Sequence, residues 1–314
     1  MKTLLVGYLA QDLYETLRHG RRATAKWLDG GVTCHTLDIY HRHAIEKAHH
    51  VRAVCSAHLP DGDWDVIKFK TGPKRTSGEL ALDLLQEASI LARKTGARLE
   101  VDFEGRERDR NDLLSKIKDD PDRVRDFSAR WKASVPGIEP LEFVSVPGCF
   151  CHRRTDEGGL ALAEVVSREL REKGAERARM LDMGCGCGLV GLLVAKAVPG
   201  VSLVMVDSHS RAVEAAGINA KAQGVDAEVI LADAGTPARM DGTFDVFAGN
   251  PPYYSDYRIA EVFLETAARA LKPGGACYTV CKNAVGLKPV QERFFGRVEI
   301  IPRRGYSVLH SLKG

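Results

Sequence analysis

The chain contains 314 residues, of which 44% are hydrophobic and 28% are charged, and its formal net charge is +3. This balance is typical of a folded globular protein, and the length suits two domains better than one. Eight cysteines in a chain of this length exclude a disulfide-dense scaffold, and no apolar run reaches the ~18 residues of a membrane span. The composition therefore predicts a cytoplasmic protein, and the small net charge neither requires nor excludes a nucleic-acid partner.

The first half of the chain alternates short apolar runs with one clear helical pattern. Strands are predicted at 4–6, 32–37, 51–54, 64–69 and 98–103, and the apolar start of the chain is interpreted as a buried strand rather than a signal peptide. Residues 78–94 place Leu80, Leu84 and Leu91 on one helical face, and Gly96 ends the helix. Strands that alternate with helices predict a parallel sheet.

An internal repeat relates the two halves of the chain. Residues 62–67, Gly-Asp-Trp-Asp-Val-Ile, match residues 242–247, Gly-Thr-Phe-Asp-Val-Phe, and an amphipathic helical pattern follows each segment. A constant offset over a strand and a helix indicates two copies of one α/β unit. The first copy has no glycine-rich turn after its first strand, Leu4–Val6, so we expect it to keep the architecture without the chemistry.

Two groups of residues contain potential metal ligands, namely His41, His43, His49 and His50 in one and Cys149, Cys151 and His152 in the other. Neither group completes a ligand set with the spacing that zinc sites use, so we predict no metal. Basic residues also recur in the first half, at Arg18, Arg21, Arg22, Lys68, Lys70, Lys74, Arg75, Arg106, Arg108 and Arg110. They form either a solvated surface or a face for a phosphate backbone, and both interpretations stay open.

Residues 109–140 are charged, poor in strand-forming runs, and end in a proline-rich junction, Val135–Pro140. Such junctions carry few contacts between domains. We therefore predict a first domain at 1–138 and a second domain at 139–314. Near the end of the second domain, residues 297–301 and 306–310 are predicted to pair as a final hairpin.

A glycine-rich turn organises the second half. A short apolar run ends at Asp182, three alternating glycines follow at Gly184, Gly186 and Gly188, and a helical pattern begins at once. Glycine lets the backbone approach a ligand closely, and a helix N-terminus offers unpaired N–H groups. The next two strands end on Asp207 and Asp233, whose carboxylates suit ribose hydroxyls and an adenine amine. These features fit NAD and S-adenosylmethionine (SAM) equally well.

The segment Asn250-Pro251-Pro252-Tyr253 follows the fourth strand and decides between the two cofactors. Two prolines fix the backbone and cannot donate hydrogen bonds, so their carbonyls are preset acceptors. Asn250 adds an amide carbonyl, and Tyr253 adds a flat aromatic face. Two acceptors beside a stacking surface suit a planar amine, whose nitrogen they orient for attack on a sulfonium methyl group.

With these motifs in this order, the sequence resembles a class I SAM-dependent methyltransferase that acts on an amino nitrogen. Pro147-Gly148-x-Phe150 and Asp156-x-Gly158 make it similar to the bacterial ribosomal RNA guanine-N2 methyltransferases of the RsmC/RlmG kind. The resemblance implies an α/β fold of two tandem Rossmann-like methyltransferase domains, with mostly parallel sheets and a C-terminal antiparallel hairpin. The implied first domain is degenerate, lacks a SAM site, and holds RNA or acts as a scaffold.

The resemblance also implies a site, a cofactor and a partner. The implied cofactor is SAM, and its candidate contacts are Phe150, Asp156, Asp182, Gly184, Gly186, Gly188, Asp207 and Asp233. The implied catalytic pocket is Asn250, Pro251, Pro252 and Tyr253. The expected partner is ribosomal RNA or a ribosomal subunit, with no membrane, and we expect a monomer.

Four alternatives remain open on the sequence. The same acceptor chemistry serves methylation of a glutamine side-chain amide in a protein, or of adenine N6 in a nucleic acid. An NAD-dependent dehydrogenase would use the glycine turn but leave the Asn-Pro-Pro-Tyr segment unexplained. A non-catalytic RNA-binding scaffold would leave both motifs without a purpose.

Overall fold

The computed structural model describes residues 1–13, 31–49, 51–117, 124–175, 177–233, 235–252 and 257–314. The chain divides into two compact units, Met1–Ser128 and Ala129–Gly314, and each unit has its own sheet. The predicted α/β architecture of two tandem Rossmann-like sheets is confirmed. Several sequence predictions fall outside the described residues, namely those for Arg18, Arg21, Arg22, His50 and Tyr253.

The first unit contains an all-parallel five-stranded sheet. Its strands are β1 (Thr3–Val6), β2 (Val32–Thr36), β3 (Arg52–Cys55), β4 (Val66–Thr71) and β5 (Arg98–Phe103), in the order β3-β2-β1-β4-β5. Helices of this unit include α1 (Ile39–His49), α2 (Gly78–Thr95) and α3 (Glu107–Ser115). The predicted helix over 78–94 is therefore α2. It begins after Ser77, whose side chain accepts a hydrogen bond from the Leu80 N–H, and ends at Gly96 in the left-handed conformation.

The junction between the units differs from the prediction. The proline-rich stretch 135–140 lies inside a hairpin, in which β6 (Ala129–Ala133) pairs antiparallel with β7 (Leu141–Ser145). Trp131 stacks on the buried Phe143 with 5.0 Å between ring centroids. Because these contacts tie β6 to β7 across the proline-rich stretch, the second compact unit begins at Ala129 rather than at residue 139.

The second unit contains a seven-stranded sheet. Its strands are β8 (Arg179–Met183), β9 (Ser202–Asp207), β10 (Ala227–Leu231), β11 (Phe244–Gly249), β12 (Leu271–Cys281), β13 (Glu299–Arg303) and β14 (Tyr306–Leu312), in the order β10-β9-β8-β11-β12-β14-β13. Its helices include α4 (Glu157–Glu172), α5 (Leu189–Ala197), α6 (Ser210–Ala222), α7 (Arg258–Ala270) and α8 (Ala284–Phe295), with a single helical turn at Ala238–Met240. The β13–β14 pair is antiparallel, as the sequence predicts.

The internal repeat has a structural counterpart. The first five positions of the two sheets follow the same order, so that β4 takes the place in its sheet that β11 takes in the other. The repeated aspartate makes the same kind of hydrogen bond in both units. Asp65 accepts from the Lys2 N–H at 2.6 Å, and Asp245 accepts from the Arg179 N–H at 2.8 Å. In each case the carboxylate caps the start of the neighbouring central strand. The repeated sequence therefore corresponds to a repeated structural feature, in which an aspartate on one strand caps the neighbouring central strand.

Several helices of the structure were not predicted. The segment that contains His41, His43 and His49 forms α1, in which Ile45 is buried and His49 Nε2 lies 2.6 Å from the Ala10 carbonyl oxygen. Helix α3 lies in the charged stretch expected to be a linker, while α6 and α8 follow β9 and β12. Both α1 and α3 have low apolar content, so neither shows the apolar periodicity from which a helix is predicted.

Candidate cofactor and acceptor site

The glycine turn joins the central strand β8 to helix α5. Gly184, Gly186 and Gly188 all adopt positive φ angles, of 68°, 55° and 87°. Other residues rarely adopt this conformation, which explains why three glycines are needed here. A Cβ atom on Gly186 would meet nothing within 4 Å, so the turn presents bare backbone to open space. Such a surface suits a ligand that must approach the backbone closely.

Two aspartates hold this turn in place. Asp182 is only 2% exposed, and its Oδ2 accepts a hydrogen bond from the Gly191 N–H at 2.9 Å in the first turn of α5. Asp207 Oδ2 accepts from the Gly186 N–H at 2.9 Å, and its Oδ1 accepts from the His209 N–H at 2.9 Å. Each carboxylate thus accepts a hydrogen bond from a backbone N–H of the turn or of the helix that follows it.

Burial raises the pKa of Asp182 to about 7, and the negative charge of Asp207 acts in the same direction. The hydrogen bond from Gly191 opposes this change, because it stabilises the carboxylate. A carboxyl group in this environment titrates near neutral pH. Asp182 therefore supports the turn from beneath rather than presenting a charge to a ligand.

The remaining predicted cofactor contacts lie at the same edge of the sheet or beside it. Asp233 is half-buried and follows β10, and the Ala232 N–H donates to the Asp207 carbonyl at 3.0 Å, which ties the two strand ends together. Phe150 is 68% exposed in a turn where Cys151 and Arg153 adopt positive φ angles. The structure thus groups Asp207 and Asp233 with the glycine turn, and it leaves the Phe150 ring in solvent.

The segment predicted to bind the acceptor is held by a contact that the sequence did not predict. The Asn250 Nδ2 donates to Asp156 Oδ2 at 2.7 Å, although the two residues are 94 positions apart. Asp156 also caps α4, because its Oδ1 accepts from the Gly158 N–H at 3.0 Å. Burial raises the pKa of Asp156, and the Asn250 hydrogen bond opposes that change. With its nitrogen committed to Asp156, the Asn250 amide directs its oxygen away from that residue.

The two prolines follow Asn250 at the same edge of the sheet. Pro251 is buried and Pro252 is half-buried at the end of β11, and their carbonyls are acceptors on a rigid backbone. The stacking role of Tyr253 stays a prediction, because this residue lies outside the described segments. The described part of the segment offers acceptors on a rigid strand end, which is the arrangement needed to hold an amine.

Sequence analysis missed two buried polar residues that support the site. Asn219 of α6 is fully buried, and its Nδ2 donates to the Cys187 carbonyl of the glycine turn at 2.9 Å and to the Val144 carbonyl at 2.8 Å. Arg211 is 2% exposed, and its guanidinium donates to the Pro147 carbonyl at 3.3 Å. A polar side chain on an otherwise apolar helix face was the available signal, but only the tertiary structure supplies the partners.

The edge of the first sheet that corresponds to the glycine turn is occupied by ion pairs. Lys70 Nζ lies 3.2 Å from Asp12 and 3.0 Å from Glu104, and Arg75 pairs with the same two acids. Lys70, Arg75 and Asp12 are largely buried. Lys68 likewise pairs with Glu100 at 3.0 Å. These basic residues neutralise acids of their own unit, which favours a stabilising role over one in holding phosphates.

The potential metal ligands are engaged separately. Cys149 Sγ donates to the Arg211 carbonyl at 3.6 Å, whereas His152 Nδ1 lies 3.0 Å from Ser145 Oγ. Across the described segments, no group of three or more His, Cys, Asp or Glu residues is arranged to hold a metal ion.

No described helix is both long enough and apolar enough to cross a membrane.

We expect Gly184→Ala to weaken cofactor binding and to destabilise the second unit. A Cβ at this position would lie 2.7 Å from the Phe263 ring, and φ is 68°, so steric overlap adds to backbone strain. The expected loss is about 3 kcal/mol in the free energy of unfolding. The measurement is urea denaturation with SAM affinity by calorimetry.

Gly224→Ala is the matched control for this substitution. Gly224 has a similar φ of 63°, but a Cβ there would meet nothing within 4 Å. Gly224→Ala should therefore lose only the free energy that backbone strain costs, about 1 kcal/mol in the free energy of unfolding. Equal losses in the two variants would mean that the contact with Phe263 has no energetic weight.

The glycine turn, the strand-end acids and the Asn-Pro-Pro segment share one edge of a sheet whose order is that of a Rossmann-like methyltransferase domain. A family model for the methyltransferase small domain matches residues 140–310, which is more than half of the chain. The chain belongs to the methyltransferase small domain family.

Individual relatives agree with this assignment. The chain is 30% identical over 196 residues to ribosomal RNA small subunit methyltransferase C of Hahella chejuensis, covering 61% of this chain and 55% of that protein. It is 32% identical over 162 residues to the protein of the same name from Pseudomonas aeruginosa strain UCBPP-PA14, covering 50% and 46%. The chain therefore spans about half the length of the curated relatives it matches.

A solved structure is similar to this chain over its whole length. It is the T. thermophilus 16S rRNA N2 G1207 methyltransferase (RsmC) in complex with AdoMet and guanosine, with a TM-score of 0.76. The match covers 100% of this chain and 88% of that one at 19% identity. At this identity the likeness shows a shared fold.

Proposed function

We propose that this protein transfers a methyl group from SAM to the N2 amine of a guanine in ribosomal RNA. The hydrogen bond between Asn250 and Asp156 carries the proposal, because it orients an amide acceptor beside the rigid Pro251 carbonyl. The curated relatives are named as ribosomal RNA methyltransferases, and the matching structure contains AdoMet and guanosine. The names of the relatives support ribosomal RNA as the class of substrate, and the description of the solved structure supports SAM as the cofactor and guanine N2 as the acceptor.

The residues around the glycine turn fit SAM. The bare backbone at Gly186 allows close approach of the cofactor. The carboxylates of Asp207 and Asp233 would accept hydrogen bonds from ribose hydroxyls and from an adenine amine, respectively. When bound, SAM supplies an electrophilic methyl group on a sulfonium. The cofactor role of Phe150 and the direct contact of Asp156 with SAM stay predictions.

The acceptor pocket would act by orienting a weak nucleophile. The exocyclic amine of guanine has its lone pair delocalised into the ring. Asn250 Oδ1 and the Pro251 carbonyl can accept its two hydrogens from one side, which favours a pyramidal nitrogen with the lone pair directed outward. A base in an A-form helix is inaccessible to such a pocket, so the target must be unpaired or splayed out, with Tyr253 predicted to stack on it.

The first unit is proposed to serve as a scaffold. Lys68 and Lys70 of β4 form ion pairs with Asp12, Glu100 and Glu104. Because these acids compensate their positive charge, the two lysines are less suited to bind RNA phosphates. In the sequence, its first strand is not followed by a glycine-rich turn, as expected for a degenerate copy. The cytoplasmic location and the monomeric state stay predictions.

The direct test uses tritiated SAM with undermodified ribosomal subunits or ribosomal RNA, followed by nucleoside analysis. We expect label in N2-methylguanosine. Label in N6-methyladenosine, or in a glutamine of a protein, would replace the guanine assignment by one of the alternatives. Measurable SAM affinity without turnover on any ribosomal substrate would instead indicate a non-catalytic protein.

A further inference from the structure

A lysine and a tyrosine stand beside the acceptor pocket, outside both the glycine turn and the Asn-Pro-Pro-Tyr segment. Lys282 follows β12, and Tyr306 begins β14, in which Ser307 pairs with Cys281. Because β11 runs parallel to β12, with Gly249 opposite Thr279, the two residues stand at the sheet edge where Asn250 lies. Lys282 is exposed, and its Nζ lies 4.3 Å from the centroid of the half-buried Tyr306 ring.

Contacts connect this pair to the acceptor amide. A Cβ on Gly158 would lie 3.2 Å from Tyr306 Cε1, so the tyrosine ring covers the first turn of α4. Gly158 donates its N–H to Asp156, and Asp156 accepts from Asn250. The Tyr306 ring therefore packs beside Gly158, whose N–H is bound by the same Asp156 carboxylate that orients the Asn250 amide.

Charge compensation distinguishes Lys282 from its basic neighbours. Arg303 pairs with Glu164, and Arg304 lies 3.3 Å from Glu164 and 3.1 Å from Glu157, so the charges of both arginines are compensated. Within the described residues, no carboxylate lies at ion-pair distance from Lys282, whose charge there faces the Tyr306 ring and solvent. A cation–π contact restrains the ammonium without neutralising its charge.

We propose that Lys282 binds a backbone phosphate of the RNA strand next to the target guanosine, with Tyr306 holding the ammonium in place. This inference rests on the proposed function, since it concerns the acceptor of the same site. A splayed-out nucleotide brings its flanking phosphates to the mouth of the pocket, where an uncompensated cation gains counterion-release free energy. A phosphate contact of this kind positions the strand and does not select the base. Lys282 is thus a positioning residue.

The test compares Lys282→Ala, Lys282→Arg and the control Lys221→Ala in the full chain. Lys221 is also exposed, but it lies in the last turn of α6, which starts at the carboxyl end of β9 and returns to the opposite edge of the sheet. The measurements are the salt dependence of binding to in vitro transcribed small-subunit ribosomal RNA, and KM and kcat for methyl transfer to that RNA. SAM affinity and the melting temperature are followed alongside them.

We expect Lys282→Ala to raise KM for RNA about five- to tenfold, with a smaller effect on kcat, and to reduce the salt slope of log K by ~0.7 to 0.9. Lys282→Arg should retain most of the wild-type KM for RNA and most of the wild-type salt slope, and Lys221→Ala should resemble wild type in both quantities. An unchanged salt slope in Lys282→Ala would overturn the inference, as would equal losses in Lys221→Ala. A wild-type protein that yields no N2-methylguanosine would refute the proposed function instead, which keeps the two failures distinct.

Discussion

Asn250→Ala is expected to reduce methyl transfer by about a hundredfold or more while SAM still binds. The substitution removes the acceptor that orients the amine, and loss of one preorganised polar group of this kind costs about 10²- to 10³-fold in kcat. It also removes the hydrogen bond to the half-buried Asp156 carboxylate, so a loss of ~1 to 3 kcal/mol in stability is expected as well. Single-turnover transfer to RNA and SAM calorimetry measure activity and cofactor affinity, and urea denaturation measures stability.

The matched control is Asn111→Ala, at an exposed position in helix α3 of the first unit. It should have wild-type activity and stability. If Asn250→Ala retained near-normal turnover, the acceptor role of its amide would be wrong. If it lost SAM affinity in proportion to activity, Asn250 would belong to the cofactor site and not to the acceptor pocket.

Asp182→Asn is expected to abolish a pH dependence of stability that the wild-type protein shows. Burial raises the pKa of Asp182 to about 7 in the folded state, from 3.8 in the unfolded chain. Between these values the folded state retains a proton that the unfolded state has lost, so the free energy of unfolding decreases as the pH rises, and it levels off above the folded pKa. The full change is on the order of 4 kcal/mol.

Asparagine carries no titratable proton, and its Oδ1 can still accept from the Gly191 N–H. Asp182→Asn should therefore gain stability relative to wild type between about pH 5 and about pH 8, as measured by urea denaturation with hydrogen exchange of β8. Asp226→Asn, at an exposed position, changes the same charge and serves as the control. Parallel pH profiles for wild type and Asp182→Asn would show that Asp182 is not the group responsible.

The strands of both sheets could be predicted because their apolar runs are short and bounded by turn residues. The repeat at 62–67 and 242–247 also predicted two copies of one unit, and the structure gives its reason in the paired roles of Asp65 and Asp245. The second compact unit begins at Ala129, before the predicted boundary at residue 138, because the antiparallel pairing of β6 with β7 crosses the proline-rich stretch. Pairing between separate segments is a tertiary property that local composition does not contain.

Within the candidate site, the sequence could indicate residues that follow parallel strands, since the carboxyl ends of such strands meet at one edge. That rule brings Asp207, Asp233 and Asn250 together. It did not reveal Asn219 or Arg211, whose partners lie on distant segments. Lys282 follows the neighbouring strand β12, so the same rule places it at this edge of the sheet. The sequence analysis did not predict it because Lys282 belongs to no recognisable motif.

The sequence by itself determined the fold class, the glycine turn and the acceptor segment, because each depends on residues that are adjacent in the chain and on backbone conformations that only glycine or proline supplies. The tertiary structure alone decided how those parts are held. It buries Asp182 beneath the turn, joins Asp156 to Asn250 across 94 positions, and leaves Lys282 without an acidic partner in the described chain. Burial and charge compensation depend on the groups that surround a residue in space, and neighbours in sequence do not specify that environment.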